Sequence, residues 1–417
     1  MLLSRTSSIS RRQMLASTAV PLVISYAQGA APSLPGPPKS VAGVVTAYQR
    51  GLHADVLLGK ILEGWKQDGG AGPHLKLASL YLDQSKPDGL GVQLATKYQV
   101  PIFDTIEGAV TLGTKNIPVD GVISIGEHGS YPRNDKEQHL YPRRRFFEEI
   151  TRAFEKHKKV VPVFNDKHLG PVWSDAKWMY DKSRQLQIPF MAGSSIPVSY
   201  RDPDFAVPMN SEIEAAIGIG FKGLDIYGSH TLDVFQAFVE RRRGGETGVA
   251  WVQCLQGQAM WDAVDKGLVN KDLLQLALST ASGGSTADPR SFRSSKNVLF
   301  LFRYHDGLLG AVFMMHGYAH RFTVAVKIKD QPQPLAVRIE ERPQPAYSHF
   351  AFLLHAIERM VHSNQPSYPV ERTLLSSGIL DRALTSRYED HRKLETPELA
   401  IRYAAVDYPH APRPPLP

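Results

Sequence analysis

Residues 160–193 read VVPVFNDKHLGPVWSDAKWMYDKSRQLQIPFMAG. Val160–Phe164 is a short apolar run, Ser174–Leu186 carries a helical pattern, and Pro189–Ala192 is a second apolar run. Strands that read as continuous apolar runs are buried on both faces, and a helix between two of them makes a parallel crossover unit. This stretch decides the fold class of the first half of the chain, a parallel sheet covered by helices.

The alternation extends upstream. Apolar runs at Val41–Val45, Leu75–Leu82, Pro101–Phe103 and Val119–Ile125 alternate with helical patterns at Ala54–Trp65, Leu90–Tyr98, Ile106–Leu112 and Arg143–His157. Residues 40–195 are expected to form an α/β unit with a Rossmann-like, doubly wound parallel sheet. From about residue 196 the pattern changes. Helical patterns around Glu212–Ala216 and Leu232–Arg242 precede alternating stretches at Val298–Tyr304, Leu309–Met315, Phe322–Ile328 and Ala336–Glu340. These predict a mainly antiparallel sheet in an α+β domain over 196–400. Helices return at His349–His362 and Val370–Glu389, ahead of a Pro-rich tail at 401–417. No internal repeat is visible.

The N-terminus and the charge balance narrow the setting. Ser10-Arg11-Arg12-Gln13-Met14-Leu15 is a twin-arginine pattern, followed by a weakly apolar run, Ala16–Tyr26, and small residues, Ala27–Ala31. Residues 1–31 therefore read as a Tat export signal and 32–39 (PSLPGPPK) as a linker, which predicts a periplasmic or otherwise exported protein. The apolar run is too short to span a bilayer comfortably, and no later segment reads as a membrane span. With Arg5, Arg11 and Arg12 set aside, 45 basic residues face 41 acidic ones, and the basic runs alternate with acids. That is a solvated surface rather than a phosphate-tracking one, so nucleic acid is not an expected partner. The lone Cys254 lies in the apolar stretch Trp251–Leu255 and cannot form an internal disulfide.

In a doubly wound sheet, ligands bind beyond the carboxyl ends of the strands. Gly126-Glu127-His128-Gly129 follows one strand and Asn165-Asp166-Lys167-His168 follows the next. Glu127, His128, Asp166, Lys167 and His168 are thus delivered to one edge, the composition of an acid–base site. Glu127, His128, Asp166 and His168, with His230, are also oxygen and nitrogen ligands suited to a divalent metal. A metal-assisted lyase, epimerase or hydrolase is therefore an alternative reading, with carbohydrates as its substrate only through the family resemblance given below, although no segment has a metal-specific spacing. A non-catalytic binding protein on the same fold is a third. Tyr141–Arg145 reads as a helix start, with an Arg that could reach an anionic ligand. Arg241–Gly245 reads as a helix C-terminus with its Gly cap.

Three stretches resemble the Gfo/Idh/MocA oxidoreductases, over about residues 40–400. In 160–193, Asp166-Lys167-His168 stands where that family has Glu-Lys-Pro. Gly223–Asp233 (GLDIYGSHTLD) resembles its G-x-x-x-D-x-G-x-H-x-x-D, and His349–Ser386 its C-terminal helix pair that packs back on the first domain. The resemblance implies a Rossmann domain joined to an open-faced second domain, an enzyme dehydrogenating a sugar or related polyol, and NAD or NADP as cofactor. It implies Lys167 bonding the substrate hydroxyl, His230 as general base, and Asp225 as the third catalytic residue. It further implies Gln49, Gly51, His53, Asp83, Gly126 and Glu127 on the cofactor, with His128, Asp166, His168 and Asp233 on the substrate. A homo-oligomer through the second sheet, near Met314-Met315-His316, is implied as well.

Besides His168 in place of Pro in the lysine motif, two further departures accompany the resemblance. Residues 44–58 (VVTAYQRGLHADVLL) lack G-x-G-x-x-G, and Tyr48 and Gln49 would crowd a pyrophosphate approaching the backbone. Ile226 stands four residues before His230, where the family usually has Asp, and Asp225 is displaced by one.

Overall fold

The computed structural model describes residues 36–412, so the expected export signal and the last residues of the tail lie outside the described residues. The apolar runs of the first half become six parallel strands: β1 (Lys39–Val45), β2 (Leu75–Leu82), β3 (Ile102–Phe103), β4 (Gly121–Ile125), β5 (Val163–Asp166) and β6 (Phe190–Gly193). Their order in the sheet is β3-β2-β1-β4-β5-β6. Between them run α1 (His53–Glu63), α2 (Leu90–Lys97), α3 (Ile106–Thr111), α4 (Arg143–His157) and α5 (Trp173–Gln185). Burial on both faces explains the unbroken apolar runs. Val41 and Val45 of β1 pack with Leu57 and Leu58 of α1. Ala42 and Val44, on the opposite face, pack with Ile106 of α3 and Phe146 of α4. The strand order reverses at β1, and the crevice beyond its carboxyl end is the switch point of such a sheet.

The second half forms an open, mainly antiparallel sheet from β7 (Tyr200–Asp202), β8 (Ile213–Gly220), β9 (Val249–Gln256), β10 (Val298–Tyr304), β11 (Leu309–Met314), β12 (Phe322–Ile328), β13 (Leu335–Glu340) and β14 (Leu394–Glu395). The order is β14-β9-β10-β11-β8-β12-β13-β7, and only β8 with β11 is parallel. Helices α6 (Ile226–Val239), α7 (Gln258–Asp265) and α8 (Lys271–Ser282) belong to this half. The chain then returns. In α9 (His349–Ser363), Phe350, Leu353, Leu354, Ile357 and Met360 join the α1 face of the first sheet. The last helix, α10 (Glu371–Tyr388), packs between α5 and α6, and residues 37–412 make one compact unit.

One sequence expectation is corrected here, and other elements go beyond the sequence pattern. Glu212–Ala216 is not helical: from Ile213 it is the first half of β8, a central strand whose Gly218 and Gly220 face α6. Glu and Ala favour helix locally, but a helix pressed against the strand leaves room only for Ala and Gly there. A Cβ on Gly220 would collide with Thr231 of α6 and stand 2.7 Å from the Met314 sulfur. Tertiary packing overrides propensity. The strand β9 and helices α7 and α8 were not legible in the sequence pattern. Arg241–Gly245 follows the C-terminus of α6 as expected, but Arg241 and Arg242 turn inward. Arg242 is buried, bonded to Glu246 and Asp306 and stacked over Tyr304.

Gly220→Val should cost about 1–3 kcal/mol or more, the range for overpacking a close contact. Urea unfolding should show a lower midpoint at unchanged slope.

Candidate active site

β4 and β5 end side by side, and the residues that follow them turn into the crevice. His128 and Lys167 both adopt left-handed backbone conformations, φ +69° and +70°, which side chains other than Gly seldom take. The Lys167 turn is held because its N–H donates to the Gly193 carbonyl at the end of β6, 3.0 Å away. Lys167 is 2% exposed, and its Nζ is in hydrogen-bond contact with Nε2 of His230 in α6. His230 Nδ1 lies 2.5 Å from Ser194 Oγ, and the Ser194 N–H donates to Asp233 Oδ2 at 2.8 Å. A line of groups thus runs from Asp233 through Ser194 and His230 to Lys167.

Burial disfavours charge on both members of the pair. It pushes the Lys167 ammonium below its ordinary value, with Glu127, 3.9 Å away, and Asp166 pulling the other way. His230 is pushed well below its ordinary value by burial and then by Lys167. Two such groups in contact hold fewer protons than they would in water, so together they can accept one from a substrate.

Glu127 answers the buried cations. Burial alone would raise its carboxyl, but Lys167 and Arg143 overcome this and bring it down to about 2. It forms a fully buried ion pair with Arg143, the first residue of α4. His168 is fixed at Nδ1 by the Gly170 carbonyl (2.8 Å) and is driven to about 4 by burial and by Arg143. His53 opens α1, and its Nδ1 lies 2.6 Å from Asp166 Oδ2. The His53 ring stands 5.2 Å from that of His128 and 6.5 Å from that of His230. Glu127 Oε1, His128 Nε2 and Asp166 Oδ1 are buried without a hydrogen-bond partner, an unusual concentration of unmet polar atoms on one crevice wall.

The structure therefore brings together Lys167, His230, Glu127, His128, Asp166 and His168, and adds His53, Arg143 and Ser194. Asp225 is not beside the Lys–His pair. It accepts the His139 N–H (2.9 Å) and lies 3.8 Å from His168. Asp233 faces the Ser194 backbone rather than the crevice, and burial raises its carboxyl to about 6. The sequence marks Tyr141–Arg145 as holding an Arg that could reach an anion, without saying which one or that its partner is Glu127; Ser194 carries no sequence signal, since its partners lie on another element. Among the described residues no group of three or more His, Cys, Asp or Glu is placed to hold a metal ion. Of the expected ligands, one Glu127 oxygen is held by Arg143, one Asp166 oxygen by His53 and His168 Nδ1 by the Gly170 carbonyl.

Several of the residues expected on a dinucleotide are engaged within the chain. Asp83, expected on a ribose, has both oxygens taken: Tyr81 (2.6 Å) and Arg145 bond Oδ1, and Tyr131 bonds Oδ2 (2.6 Å). Gln49 is exposed, and Gly51, φ +74°, lies against the Tyr347 ring. Gly126 serves the fold instead, because a Cβ there would stand 2.7 Å from Arg143 Cγ. Glu127 and His53 belong to the acid–base cluster.

Whole-structure comparison finds the same fold in dehydrogenases. GenD2 from gentamicin A biosynthesis, solved in complex with NAD, aligns over 86% of this chain and 97% of its own with TM-score 0.56 and 12% identity. A probable dehydrogenase from Thermotoga maritima aligns over 86% and 99% with TM-score 0.54 and 10% identity. A myo-inositol dehydrogenase from Corynebacterium glutamicum aligns over 86% and 98% with TM-score 0.53 and 12% identity. No family model and no curated protein sequence matches the chain. Similarity at this level shows the fold.

Arg143→Met would strand a buried carboxylate and should cost about 3–5 kcal/mol, whereas Arg144→Met, at a half-buried pair with Asp175, should cost about 1 kcal/mol or less. Acid titration supplies a second check. The Glu127 carboxyl sits below its ordinary 4.5 when folded, so its contribution is present above that pH and is lost as pH falls toward 2. Glu127→Gln should flatten that limb of the stability curve.

Proposed function

We propose that the chain is an enzyme acting on a sugar or related polyol, in which Lys167 and His230 take the proton of a substrate hydroxyl or of the carbon that bears it. The observation that carries this reading is the buried pair itself, oriented through Ser194 and neighboured by buried polar atoms without a partner at Glu127, His128 and Asp166. A group that only bound sugar would not need an amine and an imidazole both depressed by burial.

Two chemistries start from such a base. In an oxidoreductase, the reading supported by the Gfo/Idh/MocA resemblance and by the dehydrogenase neighbours, a hydride leaves the carbinol carbon as the hydroxyl loses its proton. In a redox-neutral lyase or epimerase, the carbon itself gives up the proton. The commitment of Asp83 and the crowding at Gly51 favour the second. Carbohydrate as the substrate class rests on the resemblance and the neighbours. Export by the Tat route and pairing of copies through the second sheet belong to the same reading.

Lys167→Met should lower turnover of the substrate found by screening sugars and polyols by about 10²–10⁴-fold, the usual worth of a positioned proton-transfer group. The thermal midpoint should not fall. Turnover within a few-fold of wild type would refute the assignment.

A further inference from the structure

β2 and β4 flank β1, so contacts between the loops leaving them pass over the carboxyl end of β1. Here those loops are fastened together. Gln84 donates from Nε2 to the Ser130 carbonyl (2.9 Å) and accepts the Ser130 N–H at Oε1 (2.8 Å). Next to it, Tyr131 donates to Asp83, which also holds Arg145 of α4. Gly129, φ +96°, allows the close approach, since a Cβ there would stand 2.8 Å from Gln84 Oε1.

The mouth of α1 is filled as well. The fold offers backbone N–H groups to phosphate at that helix N-terminus. In this chain Asp55, 1% exposed, accepts the Gly51 N–H at 2.8 Å and binds Arg50 at 2.9 Å. A carboxylate of the protein thus stands where a phosphate would bring like charge. Tyr48, 6% exposed, packs its Cβ against Gly91 of α2, and Tyr347 covers Gly51 from outside.

We infer that the dinucleotide crevice of this fold is closed by the chain's own side chains, and that the crevice wall at β4 and β5 carries redox-neutral proton transfer on a hydroxy-carbonyl compound of the aldose, ketose or hexuronate class. The inference rests on the reading of Lys167–His230 as a base. It adds a second proton-carrying pair, His53–Asp166, whose carboxylate fixes the imidazole tautomer as in other Asp–His pairs.

The step balances within the substrate. The C–H bond next to the carbonyl breaks, one pair takes the proton, and the electron pair becomes the C=C bond of an enediol. The carbonyl oxygen takes a proton from the other pair. A proton returned to the former carbonyl carbon, with the hydroxyl on the deprotonated carbon giving its proton to a pair and becoming the carbonyl, gives the isomer. A proton returned to the opposite face of the first carbon, with the former carbonyl oxygen giving its proton back, gives the epimer. No hydride leaves, so no acceptor is required.

The test uses the full chain, purified without added nucleotide. Denaturation and mass spectrometry should release under about a tenth of an equivalent of NAD(P), and about 1 mM NAD⁺ or NADP⁺ should not shift the thermal midpoint. In D₂O, with a panel of aldohexoses, ketohexoses and hexuronates and no nucleotide, proton NMR should show deuterium entering the carbon next to the carbonyl of at least one compound. His53→Asn should slow that exchange by about 10²-fold or more. Near-stoichiometric nucleotide, exchange that requires added NAD(P), or no exchange with any compound would overturn the inference. Exchange that persists in Lys167→Met, with the protein still free of nucleotide, would instead overturn the assignment of the base.

Discussion

Arg143 has no exposure and sits at the N-terminus of a helix, where a cation is disfavoured by the helix dipole and by burial together. It is tolerable only because Glu127 meets it at the end of β4. Much of the crevice follows from that pair. It ties the start of α4 to the end of β4, requires Gly126 between them, and lowers His168 by proximity. It also leaves the second Glu127 oxygen turned toward Lys167, 3.9 Å away. A buried negative charge beside a buried amine keeps Lys167 from losing its basicity altogether, which is the balance a proton-transfer group needs.

Orientation comes from a different set of contacts. The turn after β6 carries Ser194, which is pinned by Asp233 of α6 and in turn holds His230 of the same helix. His230 then meets Lys167, which leaves β5 in a conformation stabilised by β6. Each member is held by a neighbour on another element, so the second domain supplies the imidazole and the first supplies the amine. Groups fixed in this way need little reorganisation when charge develops, the condition under which buried dipoles and charges are most effective. Asp225 lies away from this line, held by the His139 N–H and 3.8 Å from His168.

The fold itself says little about the chemistry. The six-stranded sheet retains the order and the switch point of dinucleotide-binding enzymes, yet the loops around β1 bond to one another across it. Replacing glycines by Tyr48 and Gln49 removes the close approach that a pyrophosphate requires, and Asp55 puts a negative charge at the helix mouth. The acid–base groups are concentrated instead beyond β4 and β5.

The sequence by itself determined the first sheet, because strands buried on both faces need unbroken apolar runs and helices between them need a repeating apolar stripe. It also determined which titratable residues follow β4 and β5, since position after a strand is a matter of chain order. Only the tertiary structure decided their partners. His53 and Asp166 are separated by 113 residues and Lys167 and His230 by 63, and no local pattern encodes such meetings. The same holds for Arg143, which reads as one of three surface arginines until Glu127 is seen beneath it. Asp83 reads as a free ribose ligand until Tyr131 and Arg145 are found on it. Glu212–Ala216 reads as helix until α6 presses on it. Local pattern reports how a segment will be buried. Which charges will share that burial is settled by the topology that brings distant segments together.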